Sequence, residues 1–103
     1  MGSWQRHMEV LDLVDRELYR AEELSAPMPT AHDGWAVILE EVDELWDEVK
    51  LKPSKRSTQK MREEAVQVAA MAVRFILDIC PLHLENDRVE SVEPRVVTRT
   101  GGH

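Results

Sequence analysis

Glu41 and Glu44 stand three residues apart in the run Glu40-Glu41-Val42-Asp43-Glu44-Leu45. Glu64 and Gln67 repeat that step in Glu63-Glu64-Ala65-Val66-Gln67. Both runs lie in helix-patterned sequence, where a three-residue step puts two side chains on one face about a turn apart. Carboxylate and amide oxygens offered by two facing helices make a nest for a hard divalent cation, with coordination positions left for phosphate oxygens. The chemistry this points to is metal-assisted attack on a phosphate.

Three helical segments must position these residues. The first runs from about Trp4 to Leu24. Its apolar positions Met8, Leu11, Val14, Leu18 and Ala21 recur at three- and four-residue steps, with Leu13 and Tyr19 beside them. The segment Ser25-Ala26-Pro27-Met28-Pro29-Thr30 breaks the pattern and predicts a loop. A second helix is predicted to start near His32-Asp33, with Asp33 as its N-cap. Trp35, Ile38, Leu39, Val42, Leu45, Trp46 and Val49 then form an apolar stripe, and both tryptophans read as packing in preference to a base-stacking platform. Glu41, Glu44 and Glu48 fall along one edge of that stripe, where a neighbouring helix adds ligands. Glu40, Asp43 and Asp47 fall on the far, solvated face. Pro53 and Ser54 signal a second loop, and Ser57 or Thr58 caps a third helix that Pro81 ends after Cys80.

The third helix is the most unusual segment. Between Ala65 and Cys80 its only polar residues are Gln67, Arg74 and Asp78, at steps of seven and four, so they share one narrow line. A helix apolar around the rest of its circumference is buried around most of it. A chain this short cannot cover it alone, which predicts association of subunits, with Ala65, Ala69, Ala70 and Ala72 allowing close approach. A short fourth helix is expected over 82–92. The domain would then span 1–92, with 93–103 a C-terminal arm or tail.

Composition agrees with an all-α domain. Of 103 residues 32% are charged, 5% are aromatic and only four are glycine. A net charge of −7 argues against a nucleic-acid surface and means an anionic substrate needs a metal or a local basic cluster. Lys50, Lys52, Lys55 and Arg56, in the basic run from Lys50 to Arg62, are candidates to hold phosphate oxygens. Arg74 has two open roles, binding phosphate or neutralising nearby acids. The lone Cys80 permits no internal disulfide and reads as a buried hydrophobe. No stretch reads as a signal peptide or reaches the ~20 apolar residues of a membrane span, so a soluble cytoplasmic protein without a membrane partner is expected. No Ser/His/Asp or Cys/His nucleophile arrangement, Gly-rich phosphate loop or zinc-site spacing is legible.

Glu40-Glu41-x-x-Glu44 on one helix and Glu64-x-x-Gln67 on the next resemble the Glu-Glu-x-x-Glu and Glu-x-x-Asp signature of the MazG-like all-α NTP pyrophosphatases. The resemblance covers His32 to Cys80 and includes the stretches His32-Asp33-Gly34-Trp35-Ala36-Val37-Ile38-Leu39-Glu40-Glu41 and Gln67-Val68-Ala69-Ala70-Met71-Ala72. It implies a helical bundle completed by dimerisation, with dimers sometimes paired into tetramers. It also implies Mg²⁺, or Mn²⁺, held by Glu41, Glu44 and Glu64, and hydrolysis of a nucleoside triphosphate to monophosphate and pyrophosphate. Glu41 or Glu44 would orient the attacking water. Gln67 stands where the family has aspartate and offers a neutral carbonyl oxygen instead of a charge. Three outcomes stay open: a site rebuilt around Glu48 or Asp78, a site of three carboxylates, or lost activity. The last corresponds to a competing reading, a catalytically weak helical dimer that binds a nucleotide or a protein partner.

Overall fold

Pro27 and Pro29 stop the first helix and Pro53 separates the second from the third, so the chain has two turning points. The computed structural model describes residues 2–82. It contains α1 (Ser3–Leu24), α2 (Ala31–Val49), a single 3₁₀ turn at Pro53–Lys55 and α3 (Thr58–Ile79), with no strand among the described residues. None of these helices is long and apolar enough to cross a membrane. The expected fourth helix and the C-terminal arm lie outside the described residues.

The helix ends follow local chemistry. The Ser25 N–H and hydroxyl both donate to the Ala21 carbonyl, closing α1. Thr30, not Asp33, is the N-cap of α2. Its backbone is extended, and its Oγ1 accepts from the Asp33 N–H at 3.1 Å while donating to Asp33 Oδ2 at 2.8 Å. The N-cap therefore lies three residues before the predicted one, and Asp33 instead adds negative charge to the first turn. Ser57 caps α3 by accepting from the Lys60 N–H at 3.1 Å. Arg56 Nε donates to the Val49 carbonyl, so this arginine of the basic run braces the end of α2.

α3 is the centre of the arrangement. α1 and α2 each pack on it, and no α1 Cα lies within 8 Å of an α2 Cα. The buried apolar core is small: Met28, Ala70 and Met71, surrounded by half-buried Val14, Leu18, Ala21, Val37, Ile38, Phe75 and Ile79. Gly34 lets α2 approach α3 closely. A Cβ there would sit 2.6 Å from Phe75 Cδ2 and 3.0 Å from Met28 Sδ.

Two expectations about burial are corrected. Trp35 and Trp46 are 57% and 56% exposed, and Leu39 and Val42 are exposed with them. The face of α2 that meets α3 carries Gly34, Val37, Ile38, Glu41 and Leu45, while the tryptophan face lies about 100° away with no helix against it among the described residues. Cys80 is also exposed, because it caps α3 beyond the last core residue. Val73, Ile76 and Leu77 of α3 and Trp4, Met8 and Leu11 of α1 add further exposed apolar surface.

Candidate metal centre

α2 runs antiparallel to α3, so its middle turns face the first turns of α3. One carboxylate oxygen from each of Glu41, Glu44 and Glu64 lies within 4.8 Å of the others. Glu41 and Glu64 are half-buried and Glu44 is exposed. Glu41 Oε1 is buried and has no hydrogen-bond partner among the described residues. Burial, followed by the charges of Glu44, Glu64 and Glu40, pushes the Glu41 carboxyl from 4.5 up to about 7. The Glu64 carboxyl is also raised, first by burial and then by Glu44 and Glu48, with Lys60 opposing.

Three acids held this closely, one with an orphaned buried oxygen, are costly on their own. A cation with all-oxygen coordination removes both costs, because it cancels the repulsion and gives Oε1 a partner. The donor set suits Mg²⁺ or Mn²⁺ and offers no nitrogen or sulfur ligand for a softer metal.

Gln67 follows Glu64 by one turn and is half-buried. It lines two clefts, one shared with Glu64 between α1 and α3 and one shared with Glu41 beneath the Pro27–Pro29 loop. Glu48 is half-buried and near enough to Glu64 to raise its carboxyl, but it is not among the three converging ligands.

Asp78 and Arg74 are corrected. Asp78 lies 14 residues beyond Glu64 on α3, roughly 21 Å along the helix axis. Its Oδ2 accepts from the Met28 N–H at 2.9 Å and from Arg74 Nε at 3.2 Å, so it fastens the α1–α2 loop and is no site acid. Arg74 is 4% exposed. Its other donors go to the Ala21 carbonyl, the Ser25 hydroxyl, and the carbonyls of Ser25 and Ala26, at 2.8–3.2 Å. All five guanidinium N–H groups are used, leaving none for a phosphate. Of its two open roles, Arg74 takes the neutralising one, toward Asp78, and it anchors the end of α1.

The basic run is dispersed. Lys50 pairs with Asp47 at 3.0 Å, and Arg56 braces Val49. Lys52 and Lys55 make no ion pair among the described residues, and none of these four lines either cleft beside the carboxylates. Three arginines do line the α1–α3 cleft: Arg16, Arg20 and Arg62. Sequence reading passed over Arg16 and Arg20, whose four-residue spacing on a charged helix looks like an ordinary solvated face. Arg62 lay within the basic run but belongs to α3. Glu17 lines both clefts and was missed for the same reason; its carboxylate receives Arg20 in a two-point contact at 2.7 and 3.1 Å.

No protein-family model, no curated protein and no solved structure matches this chain.

Proposed function

We propose that the protein is a Mg²⁺-dependent nucleoside triphosphate pyrophosphohydrolase, with Mn²⁺ able to substitute, that releases nucleoside monophosphate and pyrophosphate. The observation that carries this reading is the Glu41–Glu44–Glu64 cluster with its orphaned buried Oε1. The signature shared with MazG-like enzymes supplies the reaction class. Glu41, Glu44 and Glu64 would hold the cation, and Gln67 would add a neutral carbonyl oxygen. When bound, the metal supplies charge neutralisation on the phosphates and lowers the pKa of a bound water. Glu44, the exposed member, is the carboxylate best able to accept a hydrogen bond from a water and hold it for attack. Glu41, carried on the face of α2 that meets α3, stays fixed.

Hydrolysis adds one water across the linkage between the α and β phosphates, so both products are anions and the acidic chain repels them. In this reading the protein works as a MazG-like homodimer or homotetramer in the cytoplasm. The exposed Trp35, Leu39, Val42 and Trp46 and the exposed Val73, Ile76 and Leu77 support association, since three buried apolar residues among the described ones make a small core.

Gln67 favours one competing reading, a dimer that binds a nucleotide or a protein partner and hydrolyses little. Pyrophosphate release from a panel of deoxy- and ribonucleoside triphosphates, with and without Mg²⁺, separates the two. Metal-dependent release supports the enzyme. Its absence at millimolar Mg²⁺ rejects it in favour of the binding protein.

A further inference from the structure

α1 and α2 flank α3 without approaching one another, so a groove is left between them with α3 as its floor. The α3 residues Glu64, Gln67, Met71 and Arg74 follow one another along that floor. At one end the Pro27–Pro29 loop, fastened by Arg74 and Asp78, covers it. At the other end it widens into the α1–α3 cleft, a space of about 590 Å³. Glu17, Arg20 and Gln67 line both spaces and so stand at the boundary between them.

The charges are not arranged evenly. The three converging carboxylates stand on α2 and the edge of α3. Across the wide end, Arg16 and Arg20 project from α1 and Arg62 from the start of α3. Arg16 is held by Asp12 at 2.9 Å, an exposed pair of little strength. Arg20 is matched to Glu17. Arg62 has no carboxylate partner among the described residues, and its neighbour Glu63 is engaged by Gln59. Of the three converging carboxylates only Glu64 lines this cleft. A guanidinium without a carboxylate partner among the described residues, in one cleft with a second, is suited to the oxygens of an anionic phosphate chain.

We infer that the wide α1–α3 cleft is an oligophosphate-binding site in which Arg62, assisted by Arg20, grips the phosphate chain; the Lys50–Arg56 loop takes no part. The inference rests on the proposed function for the role of the grip, but the cleft and its arginines stand independently of hydrolysis. Arg62 offers two parallel N–H donors to phosphate oxygens, and Arg20 stands near the boundary between the two spaces. The chain end of a triphosphate would lie toward Arg62, leaving the rest of the molecule toward the carboxylates and the covered end.

The test uses inorganic tripolyphosphate as the probe, titrated calorimetrically into the full-length protein with Mg²⁺ present, alongside the pyrophosphate-release assay. Arg62→Ala should weaken tripolyphosphate binding by about tenfold or more. Arg62→Lys should recover part of the loss, because it restores the charge without the fork. The Lys52→Ala, Lys55→Ala double variant should bind within about twofold of wild type, as expected for side chains outside the cleft. Arg62 is exposed, so its replacement by alanine keeps the helix, and an unchanged melting temperature verifies this. Loss of binding in the loop variant but not in Arg62→Ala would overturn the inference, as would a wild type that does not bind tripolyphosphate. Arginine-dependent binding without hydrolysis of any nucleotide supports the cleft while rejecting the pyrophosphohydrolase. Hydrolysis with binding and KM unchanged in Arg62→Ala does the reverse.

Discussion

Replacing Glu41 by glutamine should stabilise the metal-free protein at pH 8 and weaken the metal-loaded one. The Glu41 carboxyl titrates near 7 in the folded protein against an ordinary 4.5. Its folded-state pKa is raised, so ionisation disfavours the fold. The penalty begins above pH 4.5, grows through pH 7 and is complete near pH 8. Taken at face value the shift corresponds to about 3 kcal/mol; with solvent screening at this half-buried position, about 1–2 kcal/mol is the working figure. Glutamine removes the charge, its desolvation and its repulsion with Glu44 and Glu64. In EDTA at pH 8, Glu41→Gln should therefore melt roughly 5–10 °C above wild type, given about 4–8 °C per kcal/mol for a domain of this size. The gap should close as pH falls toward 4.5. Saturating Mg²⁺ should reverse the order, because ligand at 100 times Kd adds about 2.7 kcal/mol to a state that binds it and less to a variant that binds poorly. Thermal unfolding followed by circular dichroism reads both proteins under each of these conditions. A variant no more stable than wild type in EDTA at pH 8, or a gap that does not depend on pH, would refute the electrostatic reasoning.

Other substitutions probe the remaining parts of the account. Gln67→Asp should tighten Mg²⁺ binding in a calorimetric titration if residue 67 is a ligand, and should raise activity with it. Loss of stability without gain in metal affinity makes the amide structural instead. Arg74→Ala should cost about 3–5 kcal/mol in urea denaturation, since it leaves Asp78 and three carbonyls without their buried partner. A loss below about 1 kcal/mol would contradict the role assigned to that arginine. Gly34→Ala should destabilise by about 1–3 kcal/mol from the clash with Phe75, offset by up to about 1 kcal/mol of helix propensity. Equal or greater stability in urea would mean that the phenyl ring yields freely.

Helix placement was legible because its signals are local. Prolines at 27, 29, 53 and 81 and the caps at Ser57 and Thr30 act within a turn, although choosing Asp33 over Thr30 misplaced one cap by three residues. The acidic faces were legible because a three-residue step fixes which carboxylates share a face, and the antiparallel α2–α3 contact brings Glu41, Glu44 and Glu64 together. Long-range facts were not legible. Gln67, Arg74 and Asp78 lie on one line of α3, yet the first faces the clefts and the other two hold a loop whose position depends on where α1 ends. Periodicity also does not tell which of two adjoining apolar faces has a neighbour, so Trp35 and Trp46 were assigned inward and lie outward. Arg20 and Glu17 carry no signal apart from the cleft that the folded chain forms around them.

The central claim is that Glu41, Glu44 and Glu64 hold one divalent cation, and Mn²⁺ binding followed by electron paramagnetic resonance at pH 8 tests it most directly. The account predicts one Mn²⁺ bound per chain, displaced by excess Mg²⁺ and lost in the Glu41→Gln, Glu44→Gln double variant while the helical circular dichroism signal is kept. Wild type that binds no Mn²⁺ at millimolar concentration, or a double variant that binds it equally well, would contradict it.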